Sequence, residues 1–315
     1  MSDRTVAVLA GGLSHERDVS LRTGRRLSTA LREAGLHVEE WDLDARLLER
    51  LTRSRPDAVV VALHGGLGEN GAIQAVLELL GVPYVGTDAR ACRRAWDKPT
   101  AKDELARAGL VTPDWVTLPH TTFRDLGAAD VLDALVGRLG LPLILKPPQG
   151  GSALGVHVVR DVTDLPGAMV GCLAYGDTVL AERFIEGVEV AVTVLEGPQG
   201  PRALPAVEIA ASSGFYDYAA RYTAGLATFH TPARLAPAAA GAVAELALAA
   251  HQLLGLRDVS RTDAVITPDG LAHFLEVNVA PGLTETSLLP MAIECEGAQL
   301  GTVYAELVER AIART

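Results

Sequence analysis

Two short stretches near the C-terminus carry residue types suited to polyphosphate chemistry. Arg261-Thr262-Asp263 and Glu276-Val277-Asn278 both sit in strand-like runs. Side chains alternate along a strand, so Arg261 shares a face with Asp263, and Glu276 with Asn278. Two carboxylates and an amide oxygen are hard donors of the kind that Mg²⁺ takes when it bridges nucleotide phosphates. The alternative is a cross-strand polar network around Arg261, although Glu276 lies in an otherwise apolar run where an unpaired charge is costly. The following tract, Val279-Ala280-Pro281-Gly282-Leu283-Thr284-Glu285-Thr286-Ser287, turns away from that strand. It leaves the Gly282 N–H and the Ser287 hydroxyl as donors to an oxyanion and a substrate carboxylate. Ser287 or Thr284 can equally cap the helix that follows.

A second candidate is the segment Lys146-Pro147-Pro148-Gln149-Gly150-Gly151-Ser152-Ala153-Leu154-Gly155-Val156. A lysine ends one strand and a glycine-rich loop leads into the next, which suits backbone N–H groups and one hydroxyl laid over a polyphosphate. It lacks the Gly-Lys-Ser/Thr of a Walker loop and opens no helix. A plain hairpin loop with glycine at positive φ remains open. Lysine itself is informative, because the 28 basic residues comprise 25 Arg and only Lys98, Lys102 and Lys146. In such a chain a lysine marks places that want a compact ammonium, for example against phosphate oxygens, rather than a wide guanidinium fork. Lys102 is also compatible with a surface position.

Toward the N-terminus, Gly11-Gly12-Leu13-Ser14-His15-Glu16-Arg17 follows the first strand and opens the first helix, where open α/β sheets bind ligands. Glu16 suits a substrate ammonium, or equally a first-turn acid favoured by the helix dipole. Gly66-Leu67-Gly68-Glu69-Asn70-Gly71 is a literal G-x-G-x-x-G, with Asp88 downstream where a ribose-binding acid would stand. A nicotinamide-dependent dehydrogenase is therefore a rival reading. Against it, the match falls on the third strand unit instead of the first, and Asp263, Glu276 and Asn278 would go unexplained. The aromatic-rich tract 214–223 lies between a strand and a helix in this reading and suits a lid.

The elements that must position these groups follow from patterning. Apolar runs at 5–9, 38–41, 58–63 and 83–85 alternate with helical patterns at 17–34 and 73–80, a βαβ rhythm that implies a parallel, Rossmann-like sheet. From residue 98 the pattern becomes helix 100–108, strand 114–116, helix 130–139 and strand 143–146, then strands 156–159 and 178–182 around a helix. Strands at 188–195 and 203–209, an Ala-rich helix at 238–254, strands 259–266 and 272–277 and a closing helix complete the chain. The expected class is α/β and α+β, with units at 1–97, 98–186 and 187–315.

Composition sets the outer limits. The 315 residues, 49% hydrophobic and 21% charged, allow two or three folded domains of roughly 100 to 200 residues. The longest apolar runs, 58–63 and 141–145, fall far short of the ~20 residues that span a bilayer, and no signal-peptide pattern opens the chain. A cytoplasmic location is expected. Cys92, Cys172 and Cys295 lack metal-ligand spacing and read as reduced packing residues. A net charge of −11 disfavours nucleic acid and anionic lipid as partners.

Taken together the motifs resemble the D-alanine:D-alanine ligase branch of the ATP-grasp family, over essentially the whole chain and in the same order. The resemblance rests on G-G-x-S-x-E-R-x-V-S at Gly11 to Ser20, H-G-x-x-G-E-x-G at His64 to Gly71, and Asp97-Lys98. Y-D-Y-x-x-x-Y at Tyr216 to Tyr222, R-x-D at Arg261 to Asp263 and E-x-N-x-x-P-G-x-T-x-x-S at Glu276 to Ser287 complete it. It implies an ATP-grasp fold with a parallel-sheet substrate domain (1–97), a central lobe (98–186) and a C-terminal lobe (187–315), with ATP between the lobes. It further implies ligation of two D-alanines through an acyl phosphate, for a peptidoglycan precursor, by a homodimer. Lys98, Lys146 and Gly151 would meet ATP phosphates, and Glu182, Arg183, Phe184, Ile185 and Glu189 the adenine and ribose. Asp263, Glu276 and Asn278 would hold Mg²⁺ as two ions, with Mn²⁺ a substitute. Arg261 and Gly282 would stabilise oxyanions, and Glu16 would orient the first ammonium and join Ser152 and Tyr222 in closing the lid. His64 would neighbour the first substrate, and Ser287 and Arg221 the second. Three positions depart from the usual pattern: Arg221 stands for lysine, Gly150 for glutamate, and Val279-Ala280 for Thr-Ser. They leave the second substrate open, including a paralogue that uses a different amine or carboxylate.

Overall fold

The computed structural model describes residues 4–212, 214–216, 220, 221, 223 and 225–314. Its first sheet contains β1 (Thr5–Ala10), β2 (His37–Asp42), β3 (Ala58–Val61) and β4 (Tyr84–Val85), all parallel, in the order β2-β1-β3-β4. β1 and β3 are nearly continuous apolar runs because both of their faces are covered. Val6 and Val8 meet Leu27 and Leu31 of helix Arg17–Glu33 on one side, while Ala7 and Leu9 meet Leu51 and Leu77 on the other. The last helix, Leu300–Ala313, returns to this sheet and crosses helix Arg17–Glu33 closely. At the crossing a Cβ on Gly301 would stand 2.1 Å from the Ala30 carbonyl oxygen, so only glycine allows the approach.

The second sheet is antiparallel, with β5 (Trp115–Pro119), β6 (Leu143–Lys146), β7 (His157–Val159) and β8 (Thr178–Arg183) in the order β5-β8-β6-β7. Alternation sends Leu143 and Leu145 into a core with helices Ala128–Leu139 and Leu165–Leu173. Ile144, Lys146 and Glu182 line a cavity on the other face.

The third sheet contains β9 (Val188–Gly197), β10 (Gly200–Ala203), β11 (Val207–Ala211), β12 (Ala227–His230), β13 (Val259–Ile266) and β14 (Ala272–Asn278). Its order is β12-β11-β9-β13-β14, with β10 folded back on β9. Val190, Val192 and Val194 bury one face under helix Pro237–Leu253, with Val243, Ala247 and Phe274. The chain closes with two helices, Leu288–Cys295 and Leu300–Ala313.

Several local expectations are corrected. The run 203–209 is two strands, because Pro205 interrupts it between the end of β10 and the start of β11. The aromatic tract 214–223 joins two strands, β11 and β12, rather than a strand and a helix; the four residues of β12 are too few to signal themselves. All three cysteines are free, but Cys295 is exposed at the end of its helix rather than buried like Cys92 and Cys172.

Candidate active site

The β13–β14 pairing places Asp263 directly opposite Glu276 and Arg261 opposite Asn278, with a register shift just after Asp263. The four side chains therefore share one face. Arg261 Nε and Nη2 donate to the two oxygens of Asp263 at 2.6 and 2.8 Å, a buried bidentate pair. Glu276 faces Lys98 Nζ at 3.4 Å. Burial works against its charge, yet Lys98, Lys146, Arg221 and Arg261 hold its carboxyl down to about 2. Among the described residues no three His, Cys, Asp or Glu side chains group as a metal site. The hard-donor set here is thus two carboxylates and the Asn278 amide, whose oxygen accepts the Ala280 N–H at 2.7 Å.

The face opens into a cavity of about 520 Å³ between the second and third sheets. This is the size of a small-molecule site. Its walls include Lys98, Lys146, Gly151, Asp263 and Glu276, and the linker of Glu182, Arg183, Phe184, Ile185 and Glu189. Lys98 Nζ also donates to the Gly150 carbonyl at 2.7 Å, fixing the glycine loop that links β6 to β7. Lys146 stands 2.7 Å from one oxygen of Glu182, and Lys102 stands 2.9 Å from the other. Burial pushes Glu189 up to about 7, against Arg221, with Asp263 and Glu276 adding to the rise.

Lys102 is the first correction to the site. It is no surface residue but is 0% exposed, held by Glu182, by the Thr112 hydroxyl at 2.5 Å and by the face of Trp115 at 5.1 Å. Burial draws its ammonium down to about 8, against Glu182. The scarcity of lysine was the available signal, and it applies to all three.

A smaller chamber of about 100 Å³ adjoins the cavity and shares Lys98, Gly150, Gly151, Tyr216, Arg221 and Glu276 with it. Its lining also includes Glu16, His64, Glu69, Ser152, Arg261, Asn278, Gly282 and Ser287. Glu16 occupies the N-cap position of helix Arg17–Glu33 without a side-chain capping bond, and instead accepts a hydrogen bond from the Ser152 hydroxyl. Burial raises its pKa despite Ser152, Arg221 and Lys98. Gly65, at φ +67, leaves room for this carboxylate, since a Cβ there would lie 2.4 Å from Glu16 Oε2.

Beyond Gly65 stands Glu69, a group that the sequence reading left without a role. It is 6% exposed and accepts the Gly65 N–H at 2.7 Å. Burial, followed by the charge of Glu16, pushes it up to about 8. Its one sequence signal was a carboxylate embedded in the H-G-x-x-G-E-x-G motif. His64 is buried with Nε2 2.9 Å from Thr23 Oγ1, and burial draws it down to about 4, so it is neutral at ordinary pH.

Ser287 stands at an N-cap position, but its oxygen accepts the Thr284 N–H at 2.9 Å and no first-turn N–H of the helix. Arg221 stacks over Tyr216 at 4.4 Å, and its Nε has no hydrogen-bond partner among the described residues. Tyr222 lies outside the described residues. Asp88 caps helix Ala89–Trp96 through the Ala91 N–H at 2.8 Å, and Glu69 fills the turn of the G-x-G-x-x-G tract. Both features remove the grounds for the dehydrogenase reading. The arrangement suits a polyphosphate in the large cavity and a small zwitterion in the small one, meeting at Lys98, Arg221 and Glu276.

Comparison with known proteins gives matches along essentially the whole chain. The family model described as D-ala D-ala ligase N-terminus matches residues 39–87, and that described as D-ala D-ala ligase C-terminus matches residues 105–312. A D-alanine–D-alanine ligase from Desulforudis audaxviator is 40% identical over 312 residues, 99% of this chain and 99% of the relative. The structure of a D-alanine–D-alanine ligase from Bacillus anthracis complexed with ATP superposes with a TM-score of 0.82 at 27% identity, covering 98% of both chains. The VanG D-Ala:D-Ser ligase from Enterococcus faecalis gives a TM-score of 0.82 at 26% identity, covering 98% of this chain and all of that one.

Proposed function

The chain belongs to the D-alanine–D-alanine ligase family, with the ATP-grasp architecture, and we propose that it joins two D-alanines at the expense of ATP to make a peptidoglycan precursor. The observation that carries this reading is the shared wall. Lys98, Arg221 and Glu276 border both chambers, so a carboxylate in the small one faces a phosphate in the large one. The first D-alanine carboxylate attacks the γ-phosphorus to give an acyl phosphate and ADP. The second D-alanine amine then attacks the acyl carbon, and phosphate leaves from the tetrahedral intermediate.

In this reading Lys98, Lys146 and the Gly151 loop hold the phosphates. The linker 182–185 and Glu189 hold the adenine and ribose. Glu16 orients the first ammonium beside His64, while Arg261 and the Gly282 N–H stabilise oxyanions. Ser287 takes the second carboxylate, and Arg221 with Tyr222 belongs to the lid. Asp263, Glu276 and Asn278 would hold Mg²⁺, as two ions replaceable by Mn²⁺. Their donor chemistry fits, since Glu276 is already held ionised on a face shared with the other two. The metal supplies neutralisation of phosphate charge. We further read the units as 1–97, 98–186 and 187–315, and the protein as a cytoplasmic homodimer. Among the described residues no helix is long and apolar enough to cross a membrane.

The test is ADP release with ATP and Mg²⁺ in the presence of D-alanine, L-alanine, D-serine, D-lactate plus D-alanine, or no amino acid. D-alanine-dependent release with dipeptide formed supports the reading. Turnover only with another pair would assign a paralogous ligase, and silence with every substrate would overturn it.

A further inference from the structure

The polar groups buried behind the nucleotide cavity hold one charge that the proposed chemistry does not use. Lys102 does not line the cavity, yet it is bound to a residue that does. Glu182 is 1% exposed, and its two oxygens face Lys102 at 2.9 Å and Lys146 at 2.7 Å. Without Lys102, the Glu182 carboxylate would cancel the charge of Lys146. With it, the triad carries a net charge of about +1 toward the cavity, in surroundings where charges act strongly on one another. We propose that Lys102 is a positioning residue for triphosphate binding: it neutralises Glu182 from behind, so that Lys146 keeps a free positive charge for the phosphates. This rests on the reading that the cavity takes ATP.

The surroundings explain why this group is a lysine in a chain that otherwise uses arginine. The ammonium is enclosed by Glu182, the Thr112 hydroxyl at 2.5 Å and the Trp115 ring at 5.1 Å. Three donors on one small cation suit that space, and a planar guanidinium fork does not. The same contact reaches the opposite lobe. Thr112 Oγ1 donates to the Phe274 carbonyl at 2.8 Å, on β14 two residues before Glu276. Lys102 thus ties helix Lys98–Arg107, which begins with one cavity lysine, to the strand that bears the opposing carboxylate.

The experiment measures the dissociation constants of ATP and AMP for the full-length protein and its Lys102→Met, Glu182→Gln and double variants. Thermal melting is recorded alongside. Contacts to adenine, ribose and the α-phosphate divide out of the AMP/ATP ratio, which leaves the contribution of the β- and γ-phosphates. Lys102→Met should lower the ratio roughly 10- to 100-fold. The double variant, in which Lys146 again lacks a neutralising neighbour, should return it to within roughly 3-fold of wild type. Glu182→Gln, which unmasks both lysines, should raise it, and this holds the test open if Lys102→Met fails to fold. A double variant no better than Lys102→Met, or a fall in Glu182→Gln, would assign Lys102 to packing alone and overturn the proposal. Wild-type protein that binds ATP no better than AMP would instead overturn the ATP reading of the cavity.

Discussion

At the cavity between the antiparallel sheets, and directly behind its wall, every lysine stands against a carboxylate, Lys102 and Lys146 on Glu182 and Lys98 on Glu276. In the adjoining chamber two carboxyls, Glu16 and Glu69, flank Gly65, and their hydrogen-bond partners among the described residues include a serine hydroxyl and a backbone N–H. The difference shows in their protonation. Cations hold Glu276 and Glu182 ionised against the cost of burial, whereas burial raises both Glu16 and Glu69, the latter to about 8. One site is built charged before its ligand arrives, and the other is poised to receive a cation and give up a proton when it does.

The largest effect that would break this contrast is expected at Glu276. Glu276→Gln removes the charge of a hard donor and should lower turnover by roughly 10³-fold or more, with an unchanged circular dichroism spectrum. Full activity in that variant would end the metal reading and leave Glu276 a structural partner of Lys98. Glu16→Gln should act on the other chamber alone, raising the KM for D-alanine by roughly 10- to 100-fold through loss of a charged hydrogen bond. The dissociation constant for ATP should stay within about 3-fold; if it moved in step, the two chambers would not be separate sites.

A third test concerns protons. The folded pKa of Glu69 lies above its ordinary value of 4.5, at about 8, so the folded chain binds more protons than the unfolded chain between those limits. Its contribution to stability is therefore complete below pH ~4.5 and is lost as pH rises through about 8, an effect of a few kcal/mol at most. Glu69→Gln should flatten that fall in urea titrations across the window, and an unchanged profile would mean that another group is responsible. By the same linkage, D-alanine binding near neutral pH should release up to about one proton from the Glu16–Glu69 pair. Calorimetric heats that do not depend on the buffer's ionisation enthalpy would count against it.

The smallest effect is expected at the junction. Arg221→Lys keeps a cation between the chambers but gives up the planar stack on Tyr216, and should lower kcat/KM for D-alanine by roughly 2- to 5-fold. A variant that gained activity with D-serine instead would make Arg221 a determinant of the second substrate.

What the sequence determined by itself was local in origin. Strand alternation alone put Arg261 with Asp263 and Glu276 with Asn278, and the Lys146 tract between two strands was legible as a glycine loop that opens no helix. The βαβ rhythm of the first ninety residues was equally plain, because both faces of β1 and β3 are covered and their runs are continuous. Tertiary structure decided what lies between distant segments. The choice of Asp263 opposite Glu276 is a matter of register between strands, and the Lys102–Glu182 contact joins a helix and a strand 80 positions apart. Burial is likewise a property of the packed whole. No local pattern distinguishes a lysine at 0% exposure from one on the surface, or a carboxyl that titrates at about 8 from one at 4.5. Side-chain direction depends on the residue's own backbone, but partner and solvent access depend on everything packed around it.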